Sequence, residues 1–586
     1  MDSKETTQTE TIEANDNPGQ QQVDHSAFDP PAEHVGDLDA IEPINLSWRS
    51  WLVVFVAAFA ALAQVYVVIA ASTVITFIIR DLGDGPVAGW VIQGPLLMQS
   101  VLTPIVGRLS DVLDRRYLAA VPPLIAFAGA VVAAKASSMP MLIGGGILIG
   151  VTLSTNGIVQ AIPSEVLPLK YRPLSTGIGY IAGTLGGLVA VLSAGALTNT
   201  KSGGWRAIFW IQAALHLASS LGFFLFYHPF HHSDFPKMTI RGYIWALDPI
   251  GSVLFIISVL FLLLALDWAG GTYAWSDAHV AGFLAIGFAF LILFCLYEWK
   301  GRSDGLVAHV FFERSPNFAL ATFAFTVEGW IFYSAVNSVT PQLILNLGFE
   351  NNSWSIALRL LAFLLPAISI SIPVMFYATK YKDLKSPLLL TFIVFLVVTI
   401  LYSVITPSWS HAQIAMTLLA GIGQCGPLTL IIALVQFSAP HAYLSTATGL
   451  AFSARAIGGA FGSAVLDAII NGKLGNTWAP QVSAAAEKAG LPVSSVPALL
   501  EAFQAGTGFD NVKGLNSTIL SEAKLASEWA YAHAYRLAWA SIIPFVVLAL
   551  IFIAFLKGVK ELMTEKIEAT VERVEGRGQE MTMGKA

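Results

Sequence analysis

Fourteen apolar stretches of about twenty residues or more, separated by polar breaks, run from position 51 to position 556. Their bounds are 51–79, 87–107, 117–135, 141–162, 174–197, 205–227, 248–267, 278–298, 317–341, 354–378, 387–405, 411–437, 442–470 and 533–556. Runs of this length match the apolar thickness of a bilayer. Lipid offers backbone N–H and C=O groups no partner, so each run is expected as a membrane-spanning helix. The pattern predicts an all-α integral membrane protein, and an even span count puts both termini on one side. The segment 471–532 is the one large outer loop this reading contains, with Ala-rich stretches suited to surface helices.

The pattern also repeats. LPLKYRPLSTGIGYIAGTLGG (Leu167–Gly187) and APHAYLSTATGLAFSARAIGG (Ala439–Gly459) align at a constant offset of 272. Pro168 then meets Pro440, Gly177 meets Gly449, and Gly186-Gly187 meets Gly458-Gly459. Each segment opens the fifth span of a six-span set, so spans 1–6 and 9–14 read as two related bundles, with spans 7 and 8 an inserted hairpin. Parallel repeats about an axis along the membrane normal are the layout of a facilitator-type transporter. The expected division is an acidic cytosolic tail (1–47), an N-terminal bundle (48–230), a linker with helices 7–8 (231–316), a C-terminal bundle (317–556) and a cytosolic tail (557–586).

Composition supports the membrane reading: 55% of the 586 residues are hydrophobic, 12% are charged, and mean hydropathy is +0.67. A soluble protein carries roughly twice that charge. The net charge of −6 comes from the start of the chain, where eleven acidic residues and Lys4 fall within the first 46 positions. That stretch is expected to be disordered. No basic-then-apolar start precedes Trp48, so no cleavable signal peptide is expected. Cys295 and Cys425 lie in apolar runs and are expected as buried thiols without a disulfide.

Charge placement orients the spans. With cytosolic termini, the short inner loops hold thirteen Lys and Arg, against Arg80, Lys135, Lys201 and Arg206 outside. The sequons at Asn351 and Asn516 then fall outside, where glycosylation is available. The plasma membrane is the expected location, with the vacuolar membrane the alternative.

Five charges crowd into GRLSDVLDRR, Gly107–Arg116, between spans 2 and 3. Gly107, Leu109, Asp111 and the pair Arg115-Arg116 match the loop signature of the major facilitator superfamily, which the chain therefore resembles; Asp114 stands where a glycine is usual. A glycine allows close helix approach. Asp111 is placed to meet a helix N-terminus or an arginine of the opposite half. The cluster is expected to act as a latch on a conformational equilibrium.

Fourteen spans with an inserted hairpin resemble the drug:proton antiporter branch. GGWRAIFWIQAAL (203–215), LDPIGSVLFIISVLFLLLALDWAGGTYAW (247–275), GQCGPLTLIIAL (423–434) and TATGLAFSARAIGGAFGSA (446–464) resemble fungal trichothecene efflux pumps and their siderophore-transporter relatives. The resemblance covers about 45–560. Two markers of the antiporters differ: Gly146 stands where an arginine is usual, and Gly183-Thr184-Leu185-Gly186-Gly187 lacks the usual proline.

No Walker A sequence occurs, so an ion gradient is the expected energy source. Glu328 lies eleven residues into span 9, about 16 Å deep, and an intramembrane carboxylate is a functional candidate by default. Arg359 and Arg455 are the other charged candidates for proton coupling, and Arg359 is the expected partner if Glu328 forms a static ion pair. Trp330, Tyr333 and Asn337 near Glu328, Thr152, Asn156 and Gln160 at four-residue spacing in span 4, and Gln64 and Tyr66 in span 1 are candidate cavity residues. Gly179, Gly183, Gly187, Gly458 and Gly462 are expected at helix contacts. His228, His231 and His232 lack carboxylate or cysteine neighbours, so no metal site is expected, and no cofactor.

These readings favour proton-coupled export of a small amphipathic compound (toxin, drug or secondary metabolite) by a monomer in the bilayer, with no nucleic-acid partner. Ferric-siderophore uptake with protons is the alternative. A membrane enzyme is disfavoured, because no nucleophile or metal-ligand constellation sits at the span ends.

Overall fold

The computed structural model describes Leu46, 48–84, 87–113, 115–200, 203–228, 238–269, 273–313 and 315–568. Most of the acidic tail, together with Asp114, His231 and His232, lies outside these residues.

Fourteen long helices carry the architecture. The first half contains α1 (Trp48–Leu82), α2 (Trp90–Val112), α3 (Arg115–Ala134), α4 (Met139–Val166), α5 (Arg172–Thr200) and α6 (Arg206–Phe226). A hairpin of α7 (Pro249–Trp268) and α8 (Ala278–Leu296) follows. The second half contains α9 (Asn317–Asn346), α10 (Ser353–Tyr381), α11 (Lys385–Tyr402), α12 (Ser410–Ser438), α13 (Leu444–Lys488) and α14 (Ser517–Ala554).

Thirteen of these are long and apolar enough to cross a membrane among the described residues. The exception is α2, whose 23 residues include Gln93, Gln99, Pro95 and Pro104. The expected count of fourteen spans is therefore thirteen by this measure, with α2 a helix of spanning length but mixed polarity.

Helix starts follow the local chemistry. Asp277, Asn352 and Asn516 each accept the N–H of a first-turn residue, at 2.8 Å from His279, Ser355 and Ile519. Pro249 opens α7 directly after Asp248, whose carboxylate accepts the Gly251 N–H at 3.1 Å.

The repeat appears in the element boundaries. α4 ends at Val166 and α12 at Ser438; short turns follow at Leu169–Tyr171 and His441–Tyr443; α5 begins at Arg172 and α13 at Leu444. Each pair is 272 residues apart. The two halves meet along α2–α13 and α5–α10, and the hairpin packs through α7 onto α2 and α13.

The segment 471–532 is not an open loop. α13 continues through it to Lys488, a short helix follows at Val496–Ala505, and α14 begins at Ser517. The 45 residues of α13 extend roughly 68 Å, about twice the apolar thickness of a bilayer. The part beyond the bundle is held by its own small core, including Val482, Leu491, Leu499, Val512 and Ile519. Cys425 is buried as expected, but Cys295, in α8 of the hairpin, is exposed; both thiols are free.

Candidate functional site

The centre of the bundle holds a buried ion pair. Glu328 on α9 is fully buried and Arg455 on α13 is 4% exposed. Arg455 Nε donates to Glu328 Oε2 at 2.5 Å and its NH2 to Oε1 at 2.9 Å. Gln424 Nε2 on α12 also donates to Oε1. The remaining guanidinium nitrogen donates to Tyr333 OH at 2.6 Å, and that hydroxyl donates to Gln99 Oε1 on α2 at 3.3 Å. The rings of Phe325, Phe332 and Tyr333 surround the guanidinium at 5.4, 5.0 and 4.5 Å. An acceptor-only carboxylate suits three converging donors, and the aromatic faces add cation–π attraction.

The local backbone makes this pairing possible. A Cβ on Gly329 would lie 1.9 Å from Arg455 O, and one on Gly458 would lie 2.1 Å from Thr326 O. These two glycines let α9 and α13 touch backbone to backbone beside the ion pair. Directly after Gly329, α9 widens into a π-helical stretch, Trp330–Val339. Such wide turns re-aim side chains and recur at functional sites.

Arg359 is not the partner of Glu328. It lies in the second turn of α10, bound to Glu350 at 2.8 Å and to Ser410 O at 2.9 Å on α12. Depth by residue count already favoured Arg455, which lies thirteen residues into span 13 against eleven for Glu328 in span 9, while Arg359 lies only five residues into span 10 from the opposite face.

Beside the ion pair is a cavity between the halves, and Gln64, Asn156, Gln160, Tyr180, Thr184, Phe332, Tyr333, Gln424 and Arg455 contribute to its wall. Of the expected cavity residues, Gln64, Asn156, Gln160 and Tyr333 line it. Four others do not. Tyr66 turns to Ser193 on α5 at 2.9 Å, and Trp330 packs on Phe461 and Phe545. Asn337 accepts from Ser72 at 3.1 Å beside a smaller void. Thr152 leaves the face shared by Asn156 and Gln160 because a 3₁₀ turn, Val151–Thr155, interrupts α4, and three residues per turn breaks the four-residue spacing.

Gln99, Tyr180, Thr184 and Gln424 are cavity or network residues that the sequence reading passed over. Their signal was a long polar side chain inside an apolar run, which Gln99 and Gln424 share with Gln64. Asp267 and Asp467 were also passed over; they line a second pocket between α2, α7 and α13.

The glycines expected at contacts lie there. Gly183 and Gly187 face Val65 and Ile69 on α1, Gly179 faces Gln160, and Gly458 and Gly462 face Thr326 and Trp330 on α9.

The 107–116 segment forms a second polar centre, at one end of the bundle. Asp111 accepts from Ser445 N at 3.1 Å and from Thr446 N and Oγ1, both at 2.7 Å. It thus caps α13, a helix of the other half, from outside. A Cβ on Gly107 would lie 2.5 Å from Ser445 O. Arg115 bridges Asp111 (2.7 Å) and Glu165 on α4, while Arg116 donates to Phe224 O on α6 at 2.7 Å. Arg108 ties the same centre to the hairpin region through Ala246 O at 2.9 Å and Asp304 O at 3.1 Å.

Comparison with known proteins agrees with this architecture. The family model described as Major Facilitator Superfamily matches residues 53–463. The chain is 27% identical over 439 residues to the MFS-type transporter ucsD of Acremonium sp., covering 73% of this chain and 72% of that one. It is 24% identical over 526 residues to the trichothecene efflux pump TRI12 of Fusarium sporotrichioides, covering 84% and 85%. Among solved structures, the proton:xylose symporter XylE shares the fold at a TM-score of 0.52 with 13% identity, covering 89% of this chain and 99% of that one.

Proposed function

The chain belongs to the major facilitator superfamily, and from that premise we propose that it exports a small amphipathic organic compound in exchange for protons. Secondary transport across a membrane follows from the family and from its efflux-pump relatives. The single observation that carries the finer reading is the central cavity, whose aromatic and amide wall ends at the Glu328–Arg455–Gln424 network. Aromatic faces with a few polar groups suit a ligand that is part apolar and part hydrogen-bonding. The name of the TRI12 relative supports the outward direction.

Glu328 serves as the proton carrier. Protonation cancels its charge and turns one carboxyl oxygen into a donor facing Arg455 and Gln424, which are donors themselves. The network then has to rearrange, and α9 and α13 are in backbone contact at that point. If proton and ligand favour opposite arrangements of the halves, their movements are coupled. Asp111 and Gly107 act elsewhere, holding the two halves together at one end. In this reading that end is cytosolic.

The test of direction is deletion of the protein in its host. Deletion should raise intracellular accumulation of, and sensitivity to, an amphipathic compound while growth on ferric siderophores continues. Loss of ferric-siderophore uptake on deletion would reverse the direction.

A further inference from the structure

The two halves are cross-braced at the end that carries Asp111, but the braces come from unrelated parts of the chain. Asp111 of the first half reaches the start of α13 in the second. The position 272 residues later is Asp383, and it does not reach back. It caps its own helix instead, accepting from Lys385 N at 3.0 Å and Ser386 N at 3.2 Å. The start of α5, the counterpart of the start of α13, is therefore left without a brace from that loop.

The C-terminal segment supplies one. After α14 the chain turns across the same end, and Met563 anchors it with a fully buried side chain. Lys382 Nζ donates to Met563 O at 2.7 Å, fixing the anchor to the second half. Beyond it the segment runs along the first half: Leu169 N donates to Lys566 O and Lys170 N to Thr564 O, both at 2.9 Å. Lys170 pairs with Glu565. Glu568 then meets Arg172, the first residue of α5, at 2.5 Å. Arg172 is 3% exposed, and its NH1 donates to Gln436 O of α12 at 3.0 Å. A segment covalently part of one half thus spends two backbone hydrogen bonds and two ion pairs on the other.

We propose that residues 563–568 form a strap that locks the two halves closed at this end, a second latch in parallel with Asp111, and that release of Glu568 from Arg172 is a step in opening. The inference rests on alternating access between the halves. It does not depend on what is carried or in which direction. Bonds that exist in one arrangement only bias the equilibrium by their free energy in that arrangement, and a lost charge-assisted hydrogen bond is worth about a tenfold change.

The chain contains two cysteines, which provides a reporter. Cys425 is fully buried beside Gln424, packed with Tyr180 of the cavity wall. In a Cys295→Ser background, Cys425 is the sole thiol, and its maleimide labelling rate in purified protein reads how often the cavity opens. Removing residues 564–586 should accelerate labelling at least about tenfold, and Glu568→Gln by several-fold. Removing only 569–586, which leaves the strap, should not change it. Because parallel latches add in free energy, Asp111→Asn combined with Glu568→Gln should accelerate labelling by the product of the single effects. Wild-type labelling in both the 564–586 deletion and Glu568→Gln overturns the strap. If the deletion aggregates, Glu568→Gln decides alone. No transported compound enters the assay, so a failure of the export reading leaves the result standing.

Discussion

Replacing Glu328 by Gln tests the central network most directly. The substitution keeps size and hydrogen-bonding capacity but removes the only acid bound to Arg455 among the described residues. Both groups are shielded from water, at 0% and 4% exposure. Breaking one side of such a pair costs about 3–5 kcal/mol, because a buried charge is left uncompensated. The Tyr333 hydroxyl and three ring faces hold Arg455 in the wild type and the variant alike, so they do not offset this loss, which should be about 3–5 kcal/mol. In Glu328→Gln/Arg455→Gln no charge remains, two amides face each other, and most of that loss should return. The assay has two readouts on purified protein: thermal retention of the folded monodisperse peak, and flux in proteoliposomes with and without an imposed pH gradient. Stability should rank wild type, double variant, single variant. Both variants should lose pH-driven flux, and the double should keep downhill exchange. A single variant with wild-type stability and wild-type pH-driven flux refutes the reasoning. A double variant no more stable than the single would show that the two side chains are not energetically coupled.

Two further outcomes follow from the ends of the bundle. Asp111→Asn should leave the protein folded but shift the closed–open equilibrium by about tenfold, the worth of a charge-assisted cap bond, read as slower net flux at matched surface expression; unchanged flux would reduce the 107–116 segment to a topology signal. A tag inserted near residue 508, between the short helix and α14, should be reached from outside intact cells while tags at either terminus are not, and labelling of an N-terminal tag from outside would invert the orientation.

What the sequence disclosed and what it withheld differ in kind. Apolar length disclosed the helices, and the 272-residue repeat disclosed which helix starts correspond, because both are one-dimensional properties. The segment 471–532 was read as an outer loop carrying surface helices; that α13 runs unbroken to Lys488 and α14 begins at Ser517 was not legible, since outside lipid a helix needs no continuous apolar run. Glu328 was legible as an isolated acid in an apolar span. Its partner was within reach too, since Arg455 lies at nearly the same depth and Arg359 only five residues from the opposite face, but the expected static pair named Arg359. The sharpest case is Thr152: four-residue spacing assumes an unbroken α-helix, and the 3₁₀ turn at Val151–Thr155 turns it from the cavity while Asn156 and Gln160 remain.

The same distinction explains how the two polar centres can act on one motion. The Glu328–Arg455 pair joins α9 and α13 within the second half, where Gly329 and Gly458 bring the backbones together. α13 also lies along α2 of the first half, and Asp111 caps its first turn. A rearrangement at Arg455, eleven residues along α13 from its start at Leu444, lies about 16 Å along a rigid helix from the Asp111 cap. One helix therefore carries the arginine of the proposed proton site, a wall of the cavity and the residues that Asp111 caps. Motion of α13 relative to α2 would therefore be felt at all three, which is the connection that the proposed proton-coupled alternating access needs.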